Sequence, residues 1–339
     1  MITVLFIWQP SAELKEYLTQ ALHNQNISVH LLFPDNEEEY IKLAPQADII
    51  VGWRPTKQLL EAAENVSVLI NPGAGVQHLT DLFKEISKRD ITLVNGHGNA
   101  YFTAQHAVAL LLAVTNKVIP HHTWMVKGAW RKRDEDATSI PLREKTIGLL
   151  GYGHVNRNVH TFLSGFNVSF AAVRQNWEKF TSFWLDDSLP TPLRKYTSNE
   201  LDSFLKTVEI LIVSVPLTSK TKGLITMKEL KLLGSHGLLV NVARGPVINQ
   251  KDLYTALKNK KIAGAGLDVW YNYTPDPDEH GRKYPYEYPF HTLDNVVLSP
   301  HRGASPLDDL TRWDEVIENI TRVATGKECI NVVNLDKEY

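Results

Sequence analysis

The residues Gly151-Tyr152-Gly153-His154-Val155-Asn156 follow the apolar run 146–150 and lead into a helix-like segment. That is the context a dinucleotide fingerprint requires. The first glycine allows a tight turn, the second lets backbone approach a pyrophosphate, and the helix N-terminus offers N–H groups to the anion. Asn156 stands where the pattern has its third glycine, a position that serves close packing of helix on strand. About twenty residues on, where an Asp or Glu for the ribose 2′-hydroxyl of NAD is expected, the chain offers Ala172 and then Arg174. A guanidinium without a carboxylate suits a 2′-phosphate. The expected cofactor is therefore NAD(P), leaning to NADP. A solvated loop arginine is the plainer alternative, and NAD use stays open.

Arg244, Asp268 and His301 each come directly after a strand-like run. Open α/β sheets bind ligands beyond the carboxyl ends of their strands, so these three are candidates for a site. An arginine there can hold an anion, and a histidine exchanges a proton near neutrality. The plain readings are a surface ion pair and a loop histidine. Trp53-Arg54 also ends a strand and serves either a site or a surface. His121, His122, His154 and His160 come without a metal motif such as H-E-x-x-H, so they are read as helix-surface histidines and no metal is expected.

The elements that must position these groups alternate, strand-like then helix-like, almost end to end, as in parallel sheets wrapped by helices. Runs at 3–8, 29–33, 49–51, 66–70 and 91–94 form a first series. Runs at 146–150, 168–173, 210–215, 238–242, 262–267 and 296–299 form a second. Ser11 is a plausible N-cap for the first helix. One long helix is expected from Ala104 to about Lys127, and a closing helix from Pro306 to about Thr325, capped by Gly326. The segment 271–290 holds five tyrosines and four prolines with no helical or strand period, which suggests a lid or rim loop. At 339 residues two domains are expected. A net charge of −2 offers no basic field for nucleic acid or anionic lipid. Cys329 is the only cysteine, so an intrachain disulfide is excluded and a cytoplasmic, reducing setting is expected. The apolar start reads as a strand rather than a signal peptide, and no run reaches the length of a membrane span.

Read in order, Asn71-Pro72-Gly73-Ala74-Gly75-Val76, Asn99 with Gln105 six residues on, the Gly151 loop, Pro216-Leu217-Thr218, Asn241-Val242-Ala243-Arg244-Gly245, Leu267-Asp268-Val269 and Ser299-Pro300-His301 resemble the D-2-hydroxyacid dehydrogenase family over nearly the whole chain. The resemblance implies an α/β protein of two doubly wound domains. A Rossmann-type dinucleotide domain at 99–298 would be inserted into a flavodoxin-like substrate domain made of 1–98 and 299–339. It implies a homodimer and a small 2-keto or 2-hydroxy acid substrate of the glyoxylate or hydroxypyruvate kind, handled D-stereospecifically. Arg244 would hold the substrate carboxylate and polarise its carbonyl, and His301 would supply the proton. Gly73, Ala74, Gly75, Val76, Asn99 and Arg54 would attend the substrate. Thr103, Gly151, Tyr152, Gly153, His154, Val155, Arg174, Val215, Pro216, Thr221, Val242, Ala243, Asp268, His301 and Gly303 would attend the cofactor, with Asp268 on the nicotinamide carboxamide.

The chain departs from the family at one telling place. Five residues after the Asp of Leu-Asp-Val the family has an acidic partner for the catalytic histidine, and the count from Asp268 reaches Tyr273. Asp276, Asp278 or Glu279 in the following insertion could fold back instead. The alternative function is a dinucleotide-binding regulatory protein on the same scaffold, as in the C-terminal-binding protein corepressors.

Overall fold

The computed structural model describes residues 1–25, 27–87, 89–131, 138–178, 188–305 and 309–339. The chain divides into two compact units, Met1–Asn99 with Pro306–Tyr339, and Ala100–Ser305. Residues 299–305, counted with the terminal unit in the sequence reading, belong to the larger unit.

In the smaller unit the strands β1 (Ile2–Phe6), β2 (Val29–Leu32), β3 (Ile49–Val51), β4 (Val68–Asn71) and β5 (Thr92–Asn95) alternate with helices α1 (Ala12–Asn24), α2 (Glu37–Leu43), α3 (Lys57–Ala62) and α4 (Thr80–Glu85). All pairs are parallel, in the order β2-β1-β3-β4-β5. Short runs such as Ile49-Ile50-Val51 are buried along their length, as strands covered on both faces must be. One apolar cluster, with Leu5, Ile50, Leu69 and Leu93, covers one face; the other holds Val4, Phe6, Ile49 and Val94. Ser11 caps α1 by accepting from the Leu14 N–H at 3.3 Å.

The larger unit begins with α5 (Ala100–Thr115) and α6 (Val118–Val126). It continues with β6 (Thr146–Leu150), α7 (His154–Leu163), β7 (Ser169–Val173), β8 (Leu193–Tyr196), α8 (Leu201–Leu205), β9 (Ile210–Val213), α9 (Met227–Leu233), β10 (Leu238–Asn241), α10 (Gln250–Lys258), β11 (Gly264–Leu267) and β12 (Val296–Leu298). Seven parallel strands lie in the order β12-β11-β10-β9-β6-β7-β8. This is a doubly wound sheet whose order reverses between β6 and β9, and such a switch point opens the crevice where ligands bind.

The single long helix expected from Ala104 to about Lys127 is two helices bent by 64°. Lys117 takes φ 51 at the break, and a continuous helix would need an N–H from Pro120, which proline lacks. No single helix among the described residues is long and apolar enough to cross a membrane. The strand β8 was not expected; its exposed Arg194 and Lys195 give no apolar run, as befits a sheet edge. The closing helix α11 (Asp314–Ala324) starts later than Pro306, after a 3-10 turn at Thr311–Trp313, and residues 306–308 of that expectation lie outside the described residues. Gly326 follows it with φ 70.

Candidate active site

At the switch point of the larger sheet, Gly151 takes φ 85, and a Cβ there would come within 2.5 Å of the Ser214 carbonyl oxygen and 2.8 Å of Val215 Cγ1. Only glycine lets these two strand ends approach so closely. A Cβ on Gly153 would meet nothing within 4 Å, and Gly153 caps the ten-residue α7 without a side-chain bond. The backbone N–H groups at this helix start therefore face an open approach, which fits a pyrophosphate. Asn156, in place of a third glycine, is fully buried, and its Nδ2 lies 2.7 Å from the Gly151 carbonyl, 3.3 Å from that of Leu150 and 3.2 Å from that of Ile212. The carboxamide ties the loop to the two strands that flank the switch point.

Tyr152, expected among the cofactor residues, has a buried ring. Its hydroxyl bonds His160 Nδ1 at 2.8 Å, and His160 Nε2 bonds Thr191 Oγ1 at 2.8 Å. Burial raises the Tyr152 phenol to about 12 against the charges of Arg157 and Arg174. Burial, with Arg157 adding to it, lowers His160 to about 4. The reading of His160 as a surface histidine is thus corrected: it is a neutral, fully buried link in a structural chain. Any pyrophosphate contact by Tyr152 falls to its backbone. Val155 and Thr103 are half-buried, and His154 opens α7. Arg174 follows β7, half-buried, with its N–H on the Tyr196 carbonyl at 3.0 Å. Thr221 Oγ1 lies 2.6 Å from the Pro216 carbonyl oxygen and accepts from the Thr218 N–H at 2.8 Å, so this hydroxyl shapes the turn after β9.

Four side chains converge past β10, β11 and β12. Asn241 is buried and braces the β10 end, accepting from the Ala243 N–H at 3.0 Å and donating to the Arg244 carbonyl at 3.2 Å. Val242 and Ala243 are buried beside it, and Arg244 Nη1 donates to the Ala243 carbonyl at 2.7 Å. Asp268 is buried and accepts from Ser299 Oγ at 2.5 Å and from the N–H groups of Arg302 at 2.8 Å and Gly303 at 3.0 Å. Burial alone would raise this carboxyl, but hydrogen bonds from His106, Ser299, Arg302 and Gly303 outweigh it and hold it below the usual range. Gly303 permits the approach, since a Cβ there would sit 2.8 Å from Asp268 Oδ2. The carboxylate thus builds the turn that carries His301, a role the sequence reading did not assign.

His301 sits on this turn with φ 58, part of the residue open to solvent. Tyr273 lies beside it, ring centroids 5.3 Å apart at 57°, and the phenol oxygen accepts from the Trp270 N–H at 3.3 Å. Burial and then the Arg244 charge lower His301 from the ordinary imidazole value; Asp268 opposes them and Arg302 adds to them. The insertion carboxylates do not take the acidic partner's place. Asp278 pairs with Arg282 at 2.8 Å and Glu279 lies 3.5 Å from His280, both within their own loop. Segment 271–290, expected as a lid or rim loop, is anchored at its two ends. The N–H groups of Tyr271 and Asn272 both donate to the Pro285 carbonyl, Phe290 is fully buried, and Tyr286 and Tyr288 pack on the core.

In the smaller unit the loop after β4 is held by its carbonyls. Asn71 donates to Gly73 and, at 3.4 Å, to Gly75, while Asn95 donates to Ala74 at 2.8 Å. Among the described residues the N–H groups of Gly73, Ala74, Gly75 and Val76 meet no protein acceptor. That arrangement suits an anion. Asn99 has a buried carboxamide oxygen without a partner among the described residues. Arg54 is exposed, and the neighbouring Trp53 packs 4.8 Å from Trp8 at this sheet's own switch point, between β1 and β3.

A known family matches the larger unit, and similar proteins match most of the chain. The model of the family described as D-isomer specific 2-hydroxyacid dehydrogenase, NAD binding domain, matches residues 108–303. The chain is 30% identical to the glyoxylate reductase of Pyrococcus furiosus over 309 residues, 88% of this chain and 85% of the relative. It is also 30% identical to the D-3-phosphoglycerate dehydrogenase of Archaeoglobus fulgidus over 305 residues, 88% of this chain but 54% of the relative. The chain thus spans about half the length of that relative. Its fold is similar to the crystal structure of the NADPH-dependent glyoxylate/hydroxypyruvate reductase of Sinorhizobium meliloti, with a TM-score of 0.73, 23% identity and coverage of 99% of this chain and 98% of that one.

Proposed function

Since the chain belongs to the D-isomer specific 2-hydroxyacid dehydrogenase family, we propose that it is an NAD(P)H-dependent, D-stereospecific reductase of small 2-keto acids such as glyoxylate or hydroxypyruvate. The observation that carries this reading is the grouping of Arg244, His301 and Asp268 past neighbouring strands of a sheet whose switch point opens on the Gly151 loop. Gly151, Gly153 and the start of α7 would hold the pyrophosphate, and Val215, Pro216, Val242, Ala243 and Asp268 the rest of the dinucleotide. Bound there, the reduced nicotinamide supplies a hydride.

The protein's own share is positioning and charge. Reduction turns a carbonyl oxygen into an alkoxide, and only interactions stronger in that developing state accelerate the step. Arg244, half-buried and permanently charged, holds the carboxylate and draws charge onto the carbonyl oxygen. His301 in its protonated form donates to the alkoxide, and its neutral form takes the proton back when a hydroxy acid is oxidised. The four N–H groups of Gly73–Val76 are assigned a share in anion binding.

Arg174 supports a preference for NADP, because a guanidinium gains a charge-assisted pairing with a 2′-phosphate that NAD lacks. Homodimer formation is supported by apolar side chains exposed on α6, among them Met125 at 58% and Val126 at 72%. Cytoplasmic residence rests on the single cysteine. The regulatory alternative is not favoured, since the named relatives are dehydrogenases and reductases. The test is a spectrophotometric screen of 2-keto acids with NADPH and NADH. Turnover abolished by Arg244→Ala, with dinucleotide affinity kept, is the expected result; no turnover of any 2-keto acid defeats the reading.

A further inference from the structure

The turn that carries His301 has an attachment none of the assigned site residues explains. His106, on α5, places its Nε2 2.8 Å from Ser299 Oγ and 3.3 Å from Asp268 Oδ1. Ser299 has a single hydroxyl hydrogen, and its 2.5 Å bond to the ionised, buried Asp268 uses it. The Ser299 oxygen must therefore accept from His106, so Nε2 carries a hydrogen whatever the state of Nδ1. The same N–H leans on Asp268 Oδ1. The chain of bonds then runs from α5 through Ser299, two residues before a histidine held in the left-handed region, and Asp268 to the N–H groups of Arg302 and Gly303 directly after it. Trp270 fixes the remaining end by donating its Nε1 to the Ser299 carbonyl at 2.8 Å. Gly303 is packed against the same histidine, since a Cβ there would lie 3.4 Å from His106 Cδ2.

We infer that His106 is a positioning residue for His301, acting as an N–H donor that locks Ser299 and Asp268 and so fixes the turn on which the imidazole is presented. The inference rests on the reductase reading for its kinetic consequence only; its structural content stands without it. The groups that face His301 are Arg244 at the end of β10, Asp268 at the end of β11, Tyr273 beyond it and Arg302 on its own turn. Those facing His106 are Asp268 and Ser299. With the lock intact, the His301 ring is kept beside Arg244, whose charge and surroundings disfavour the imidazolium. With the lock released, the turn relaxes from its left-handed conformation and the ring is no longer held beside Arg244.

The experiment compares His106→Leu, which removes the donor, with His106→Gln, which returns an N–H near the place of Nε2, and with Ser299→Ala, which removes the relay. The first readout is the pH titration of the His301 ring proton by NMR in the full chain, without substrate or cofactor. His106→Leu and Ser299→Ala should bring its midpoint back towards the ordinary imidazole value of about 6.5, and His106→Gln should keep it near that of the wild type. The second readout is reduction kinetics. In the leucine variant kcat should fall by roughly tenfold to a hundredfold, as for a misplaced catalytic group, with KM for the keto acid changed far less. The glutamine variant should recover most of the loss. An unmoved His301 midpoint in both His106→Leu and Ser299→Ala overturns the inference, as does a glutamine variant as impaired as the leucine one. If His106→Leu does not fold, the contrast between Ser299→Ala and His106→Gln carries the same test. Absence of turnover in the wild type would count against the reductase reading, while the NMR titration would still decide the lock.

Discussion

His301 combines two unfavourable circumstances at one residue. Its left-handed backbone costs on the order of 1–3 kcal/mol in a non-glycine residue, and its surroundings disfavour the charged ring. The bonds from Asp268 to Ser299, Arg302 and Gly303 offset the first. The second has a kinetic consequence. Reduction needs the imidazolium, and His301 lies below the ordinary value, so the reduction rate should fall as pH rises through a point below about 6.5. Oxidation needs the neutral ring and should persist above that point. Tyr273→Glu would set an anion beside the imidazole, and an opposite charge at such range favours the imidazolium, moving the reduction limb upward. Paired pH–rate profiles check this; a wild-type rate flat well above neutrality refutes it. Arg244→Ala should abolish turnover while leaving dinucleotide affinity within a few-fold, measured by fluorescence titration, and loss of cofactor binding first would defeat the assignment. The count from Asp268 to Tyr273 was legible because both belong to one short stretch after β11. The bond from His106 to Ser299 was not, because it joins residues 193 apart. A histidine beside Gln105 in α5 gave no sign of which distant residue it meets.

Elements were readable where hydrophobic pattern and local chemistry agreed. The runs 49–51 and 146–150 coincide with β3 and β6, and Ser11 caps α1 as its type suggests. They were misread where a single residue outweighed the pattern: Pro120 divides an apolar stretch that reads as one helix, and the charged β8 pairs only at the sheet edge. Asn156 is a third such case, a polar residue inside the core that substitutes side-chain bonds for the close packing a glycine would allow. Replacing Asn156 by Ala removes its bond to the Gly151 carbonyl, while the Leu150 carbonyl keeps the Ser214 N–H, so the chain should lose about 1–3 kcal/mol of stability, read from urea unfolding followed by circular dichroism. An unchanged midpoint would show that the loop holds itself. At the end of β7, Arg174→Ala should reduce the preference for NADP over NAD by roughly tenfold to a hundredfold, the worth of one hydrogen bond to a charged group. Fluorescence titration with both dinucleotides measures the ratio, and an unchanged ratio removes Arg174 from the assignment.

Each unit of the chain owns a parallel sheet with an apolar cluster on either face, so each possesses what a cooperative fold requires. The larger unit is one uninterrupted stretch, Ala100–Ser305, whereas the smaller one needs both ends of the chain, and α11 packs on α1 to complete it. Two cores make two unfolding transitions the expected behaviour, and a two-state treatment of the whole chain would then fail. A ligand that binds only one folded unit stabilises that unit by RT ln(1 + [L]/Kd), about 2.7 kcal/mol when its concentration is a hundred times Kd. If the dinucleotide is held by the Gly151 loop and its neighbours, NADPH should raise the transition of the larger unit and act far less on the other. Scanning calorimetry with and without NADPH reports the shift. Hydrogen exchange assigns it: slowed exchange is expected in β6, α7 and β9, with β1, β3 and β4 changed little. Protection spread equally over both sheets, or a single transition displaced as one, would contradict the assignment of dinucleotide binding to the larger unit alone. Arg174→Ala should shrink the NADPH shift, because the half-buried side chain at the end of β7 is assigned to the ligand.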